Sequence, residues 1–127
     1  MHIVIATHGA MAKGVIDAVE ILYGKRENYS FLEGYVHNEN FEEEFNEHLS
    51  QIEDETIIVM TDLLGGSVNQ IAARALKEKK LEVIAGINLA LVLRVLGIDD
   101  NKDVPAQIRE CIRQSQEQVL FVNKIIL

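Results

Sequence analysis

Several common kinds of protein are excluded by what this chain lacks. It has one cysteine, Cys111, in 127 residues, so no disulfide framework can form within it and no thiol cluster can hold a metal. A reducing cytoplasm is the compartment this usage fits. No apolar run approaches the roughly 20 residues needed to cross a bilayer. The first apolar run, residues 3–6, is too short for a signal-peptide core and has no basic flank. Positive charge is scarce: 12 Lys and Arg face 20 Asp and Glu, for a net charge of −8. That balance disfavours nucleic acid and anionic membranes and suits a basic protein partner. Nucleotide motifs are missing too. There is no G-x-x-x-x-G-K-[ST] and no G-x-G-x-x-G after a strand, so ATP is not expected as a direct phosphoryl donor.

What is present reads as one globular domain over 1–127, being 48% hydrophobic and 25% charged. Short β-branched runs alternate with helical stretches. The run 3–6 precedes a segment with Met11, Val15, Ala18, Val19 and Leu22 on one helical face, stopped at Gly24. Residues 29–36 read as a second strand. Phe41, Phe45, Leu49 and Ile52 then recur at helical spacing, and the acidic run 42–44 reads as a solvated face. A third strand over 55–60 precedes a helix over about 67–79, with Ile71, Ala72, Ala75 and Leu76 inward. A fourth strand over 81–85 leads to a short apolar helix over 88–96, stopped at Gly97. Asp103 and the lone proline, Pro105, open a helix to about Gln116. Residues 119–127 are expected as a fifth strand, pairing antiparallel at an edge within the chain or across a dimer.

Repeating βα units imply an α/β fold, a doubly wound and mainly parallel sheet with right-handed crossovers. A strand order of 2-1-3-4 places the topological switch point between strands 1 and 3. His8 and Asp62 are the residues that follow those strands. An imidazole can attack phosphorus through one ring nitrogen while an acceptor holds the other, and Asp62 suits the acceptor's role. Gly65 and Gly66 allow a turn that aims N–H groups at an anion, and Ser67 opens the next helix with a hydroxyl and a positive dipole end. Thr7 joins these three as the fourth expected phosphate-binding residue. The plain alternative is that His8 caps a strand and the glycine turn is an ordinary βα connection. His48, four residues after Glu44, could support a metal but reads as solvated helix surface. His37 lies in a polar loop and could reach the rim of the site, His2 has no evident partner, and Cys111 reads as core.

With these residues in place, the chain resembles the mannose-family (mannose/fructose/sorbose) enzyme IIA domains of the bacterial phosphoenolpyruvate-dependent sugar phosphotransferase system. The segments IVIATHG at 3–9, IVMTDLLGGSVNQIAAR at 58–74 and LEVIAGINLALVLRVL at 81–96 carry the likeness. The resemblance implies a phosphotransferase in which His8 takes phosphoryl from phosphohistidine on HPr and passes it to a histidine of a separate enzyme IIB. That subunit serves sugar arriving through the membrane subunits IIC and IID. It further implies that Asp62 orients His8, that Gly65, Gly66 and Ser67 receive the phosphoryl oxygens, and that no metal or organic cofactor is needed. In the family the last strand is exchanged in a homodimer, which would cover the apolar residues at 119–127. Many relatives carry Pro, an aromatic residue and Asn after GGS; here Val68, Asn69 and Gln70 stand there, so the last two are not assigned a role.

Two other readings share parts of this pattern. A response-regulator receiver domain would need an acidic cluster after strand 1 to hold Mg²⁺, where this chain has Thr7-His8-Gly9. The phosphotransferase subunit of a dihydroxyacetone kinase also uses a histidine after strand 1, but the 62–67 turn and the 81–96 segment look more like the sugar-transport branch.

Overall fold

The computed structural model describes residues 1–125. In chain order they form β1 (His2–His8), α1 (Met11–Tyr23), β2 (Tyr29–Gly34), α2 (Phe41–Ser50), β3 (Ile57–Thr61), α3 (Ser67–Ala75), β4 (Glu82–Ala85), α4 (Leu89–Val95) and α5 (Val104–Gln116). The chain divides into two compact units, Met1–Ile87 and Asn88–Leu127.

The first unit contains a four-stranded parallel sheet in the order β2-β1-β3-β4. Its central strands are the most apolar: residues 3–6 of β1 and 57–60 of β3 are buried along their whole length, as strands covered on both faces must be. Val4, Ala6, Leu32, Ile57 and Val59 point to one face, where they pack with Phe41, Phe45 and Leu49 of α2 and with Val68, Ile71, Ala72 and Ala75 of α3. Helix α1 lies along β1 and β2, and its buried residues stand outside that cluster. Helices on opposite faces are what right-handed crossovers dictate when the strand order reverses at β1. Ala6 of β1 pairs with Thr61 of β3, and His8 with Gly34 of β2. His8 and Asp62 therefore leave the sheet at its carboxyl edge, side by side.

Local chemistry sets where these elements begin and how they turn. Asn40 caps α2, its side chain accepting from the Glu43 N–H at 3.3 Å. The buried Thr7 hydroxyl accepts from the Ala12 N–H at 2.8 Å and so fixes the rotation of α1. Ala12, Ile16 and Val19 thereby face inward, while Met11 and Leu22 stay exposed. Of the face expected from Met11, Val15, Ala18, Val19 and Leu22, Val19 alone is fully buried, because α1 carries apolar residues on two adjoining stripes. Helix α3 stops at Ala75, and Leu76, expected inward, is exposed.

In the second unit, Asn88 caps α4 by accepting from the Leu91 N–H, and Asp103 caps α5 by accepting from the Ala106 N–H. Pro105 sits in the first turn of α5, where no amide proton is required. Arg94 of α4 donates from Nε to Gln114 of α5 at 3.0 Å. The expected fifth strand is absent from the described residues: Val122–Lys124 form a single 3-10 turn, and Val119, Leu120, Phe121 and Val122 are exposed. Ile126 and Leu127, which the expected strand included, lie outside the described residues. The Lys124 and Ile125 amides turn instead to the Phe121 and Val122 carbonyls, each at 2.9 Å.

Candidate functional site

The carboxyl edge of the sheet brings together residues from three separate stretches of chain. His8 ends β1 and Asp62 directly follows β3. One carboxylate oxygen of Asp62, Oδ2, accepts from both the backbone N–H of His8 and its ring Nδ1, each at 2.8 Å. The other oxygen, Oδ1, accepts from the Leu63 N–H at 2.9 Å. Burial pushes the Asp62 carboxyl up, but the hydrogen bonds from the His8 backbone and ring, with the charge His8 can carry, outweigh it and hold the group below its ordinary value. An ionised carboxylate only accepts, so Nδ1 carries a ring proton, and in the neutral form of the ring the lone pair stands at Nε2. Ser67 Oγ lies 3.2 Å from that nitrogen. The His8 side chain is 46% exposed and Asp62 only 14%, so the imidazole meets solvent while the carboxylate beside it is mostly covered.

The turn between Asp62 and α3 is shaped by its glycines. Gly66 N–H closes it onto the Leu63 carbonyl at 3.0 Å, and Gly65 takes φ 77°, a left-handed conformation that a side chain would strain. A Cβ on Gly66 would sit 3.2 Å from the Leu63 carbonyl and 3.5 Å from His8 Cε1, so glycine keeps the space beside the imidazole. The amides of both glycines are engaged within the protein, Gly65 N–H with Asn69 Oδ1 at 3.0 Å and Gly66 N–H with Leu63. Both amides, expected as anion donors, are thus partnered within the protein, and the glycines shape the turn. Ser67, opening the nine-residue α3, supplies the hydroxyl and the helix N-terminus.

Residues passed over in the sequence complete this frame. Asn69 is buried and donates from Nδ2 to Thr61 Oγ1 at 3.0 Å while bracing Gly65. Gln70 Nε2 donates to the Gly65 carbonyl at 2.8 Å. The Val-Asn-Gln sequence after the glycines thus holds the turn from both sides. Tyr35, just past β2, donates from its hydroxyl to Ser67 Oγ at 2.9 Å, and its ring lies 5.8 Å from that of His8 between centroids. The strand expected over 29–36 ends at Gly34, and Tyr35, read as part of it, falls in the turn beyond.

Of the other expected residues, Thr7 is fully buried and occupied with the Ala12 amide, so its side chain caps α1 from within instead of joining the group at the open edge. His37 is exposed, 3.7 Å from Glu33. His48 is not solvated helix surface: it is half-buried, and its Nε2 meets Ser30 Oγ at 2.7 Å. The same hydroxyl lies 2.8 Å from His2 Nε2, giving His2 a partner after all. The run 42–44 is likewise engaged, Glu42 pairing bidentately with Arg74 at 2.8 and 3.0 Å. Cys111 is partly buried, and burial raises its thiol pKa. Among the described residues no group of three or more His, Cys, Asp or Glu side chains is placed to hold a metal ion.

Comparison with known proteins identifies the family. The family model described as the PTS system fructose IIA component (EIIA-man) matches residues 2–112. The chain is 33% identical over 104 residues to the mannose-specific EIIAB component of Escherichia coli K12, an alignment covering 78% of this chain and 32% of that protein. It thus spans about a third of the length of that relative. It is 27% identical over 121 residues to the sorbose-specific EIIA component of Lacticaseibacillus casei, covering 92% of this chain and 87% of the other. Among solved structures, the PTS IIA protein associated with the fucose utilization operon of Streptococcus pneumoniae superposes with a TM-score of 0.82 at 25% identity, covering 97% of this chain and 93% of that one. The chain belongs to the mannose-type enzyme IIA family of the sugar phosphotransferase system.

Proposed function

We propose that the chain is a phosphocarrier that takes a phosphoryl group from phosphohistidine on HPr onto His8 and hands it to a histidine of a mannose-family enzyme IIB. The observation that carries this reading is the clamping of one imidazole between a carboxylate at Nδ1 and a hydroxyl at Nε2. In the transfer, the Nε2 lone pair attacks phosphorus and the N–P bond forms. The bond from phosphorus to the donor imidazole breaks, and its electrons return to the donor nitrogen. The Nδ1 proton stays in place, and Asp62 stabilises the positive charge that the ring gains. The Ser67 proton leaves Nε2 and turns to a phosphoryl oxygen, beside the positive end of α3. Passage to enzyme IIB is the same step reversed, with the acceptor's nitrogen attacking.

The surroundings favour a macromolecular partner. Leu63 and Leu64, next to Asp62 in sequence, are exposed, Leu64 at 80%, and so is Met11, an apolar rim suited to docking of another protein. We further infer that residues 1–127 act as one enzyme IIA domain in the cytoplasm, since the family match runs through the boundary between the two units. A homodimer is the arrangement that would cover the exposed apolar residues at 119–122. The membrane subunits IIC and IID would be reached only through enzyme IIB.

The test is a chase. The chain is labelled from radioactive phosphoenolpyruvate through enzyme I and HPr, freed of both, and mixed with a mannose-family enzyme IIB. Label should move to IIB within the mixing time; label that stays on the chain or appears only as inorganic phosphate would overturn the carrier reading.

A further inference from the structure

Tyr35 is held in an uncommon backbone conformation at the edge of the site. The Val36 N–H reaches back to the Glu33 carbonyl at 3.5 Å, and Tyr35, third in this turn, has φ 65°. Turns of that shape take glycine at the third position, because any side chain there is strained. The glycine in this turn stands one place earlier: a Cβ on Gly34 would lie 2.8 Å from the Thr7 carbonyl. The strained position therefore falls on a large aromatic residue. Packing holds it there, with ring centroids 5.8 Å from His8 and 5.7 Å from Phe41, which in turn stands 6.3 Å from Phe45 in the core.

The hydroxyl of Tyr35 is aimed at Ser67. A serine hydroxyl has one proton to give and two lone pairs to accept with. Tyr35 donates to Ser67 Oγ at 2.9 Å, and the bare Nε2 of His8 lies 3.2 Å from the same oxygen. With one lone pair taken by Tyr35, the Ser67 proton is directed to Nε2. We propose that Tyr35 is a positioning residue for the phosphoryl relay, acting through Ser67: its hydroxyl orients the Ser67 proton and polarises it for the phosphoryl oxygen that replaces Nε2 as acceptor. The proposal rests on the phosphocarrier reading. Tyr35 neither gains nor loses a proton in the step; it keeps donating to Ser67 while Ser67 changes acceptor, and a hydroxyl that accepts one hydrogen bond is a stronger donor in the next.

The experiment is a double-mutant cycle of Tyr35→Phe, Ser67→Ala and the pair, read as the single-turnover rate of phosphoryl acceptance from HPr. Tyr35→Phe keeps the ring and its packing, so the fold is retained, and circular dichroism and the unfolding midpoint check this. The expected result is a roughly three- to tenfold slower rate for Tyr35→Phe, the size of one neutral hydrogen bond. In the Ser67→Ala background the same change should have no further effect. A second readout needs no phosphoryl donor. The ¹⁵N shift of His8 Nε2 in the unphosphorylated protein should move in Tyr35→Phe and further in Ser67→Ala, while Nδ1 keeps its shift. A Tyr35→Phe protein that transfers at the wild-type rate, or whose loss multiplies that of Ser67→Ala, would overturn the proposal and leave Tyr35 to packing or docking. A wild-type chain that accepts no phosphoryl overturns the carrier reading itself, an outcome the unmutated protein reports separately.

Discussion

At His8 the two ring nitrogens meet two different neighbours, Asp62 and Ser67, and the proposed relay gives each nitrogen different work. Asp62 contributes more to it than Ser67 does. Replacing it with Asn keeps the shape and loses the charge that the ring needs once Nε2 is bonded to phosphorus. Asp62→Asn should therefore slow phosphoryl acceptance on the order of 100-fold with the fold intact, a loss that rapid-quench kinetics would detect. The same carboxylate is linked to stability. Its pKa in the folded chain lies below the ordinary value, so its contribution is present above about pH 4 and is lost as pH falls through the folded value. Urea midpoints of wild type and Asp62→Asn should accordingly converge below about pH 4; a gap that widened on acidification would contradict this. His8, Asp62 and Ser67 were legible in the sequence because strand ends and a glycine turn mark their positions. Tyr35 was not, since its contact with Ser67 spans 32 residues of chain and no periodicity encodes it. Asn69 and Gln70 were hidden for a related reason: polar residues early in a helix look solvent-facing until the turn folds back over them.

Among the elements, β1 and β3 were plain from their unbroken apolar runs, and the caps at Asn40, Asn88 and Asp103 set helix starts that match the sequence reading within a residue or two. The rotation of α1 was not legible, because two adjoining stripes are both apolar and the choice is made by the Thr7 hydroxyl. The β1–β2 contact is equally specific. Gly34→Ala would press a Cβ onto the Thr7 backbone carbonyl, which cannot move aside as a side chain would. The expected loss is about 1–3 kcal/mol of stability by denaturant unfolding, whereas an unchanged midpoint would mean the strands can separate locally. At the opposite end of β1, Ser30 joins His2 and His48. Burial lowers both histidines' pKa values; Asp54 opposes this at His2, while the amino terminus adds to it there and His2 adds to it at His48. The folded chain thus takes up these protons less readily than the unfolded one, and stability should fall as pH drops below about 6.5. Two charged rings beside the one Ser30 hydroxyl would also repel one another. His48→Gln should flatten the loss between about pH 7 and 5.5, read from thermal midpoints; an equally steep loss would place the acid sensitivity elsewhere.

For the whole molecule, the alternation of strands and helices pointed to a parallel doubly wound sheet, and the order 2-1-3-4 supposed for it is the one found, with His8 meeting Asp62 at the switch point. The chain beyond α5 was harder to read, because a strand exists only with a partner edge, and sequence shows the apolar residues without showing whose edge they meet. If that edge belongs to a second copy, the chain should sediment as a dimer, and truncation after Gln118 should give a monomer; a full-length monomer at micromolar concentration would remove the exchanged-strand proposal. The proposed function turns on His8 as the phosphoryl acceptor, and intact-mass measurement after incubation with phosphoenolpyruvate, enzyme I and HPr decides it. The chain should gain one acid-labile phosphoryl group, mapped to His8 and absent in His8→Ala. No gain by a folded chain, or a phosphoryl group carried on any other residue, would contradict that assignment.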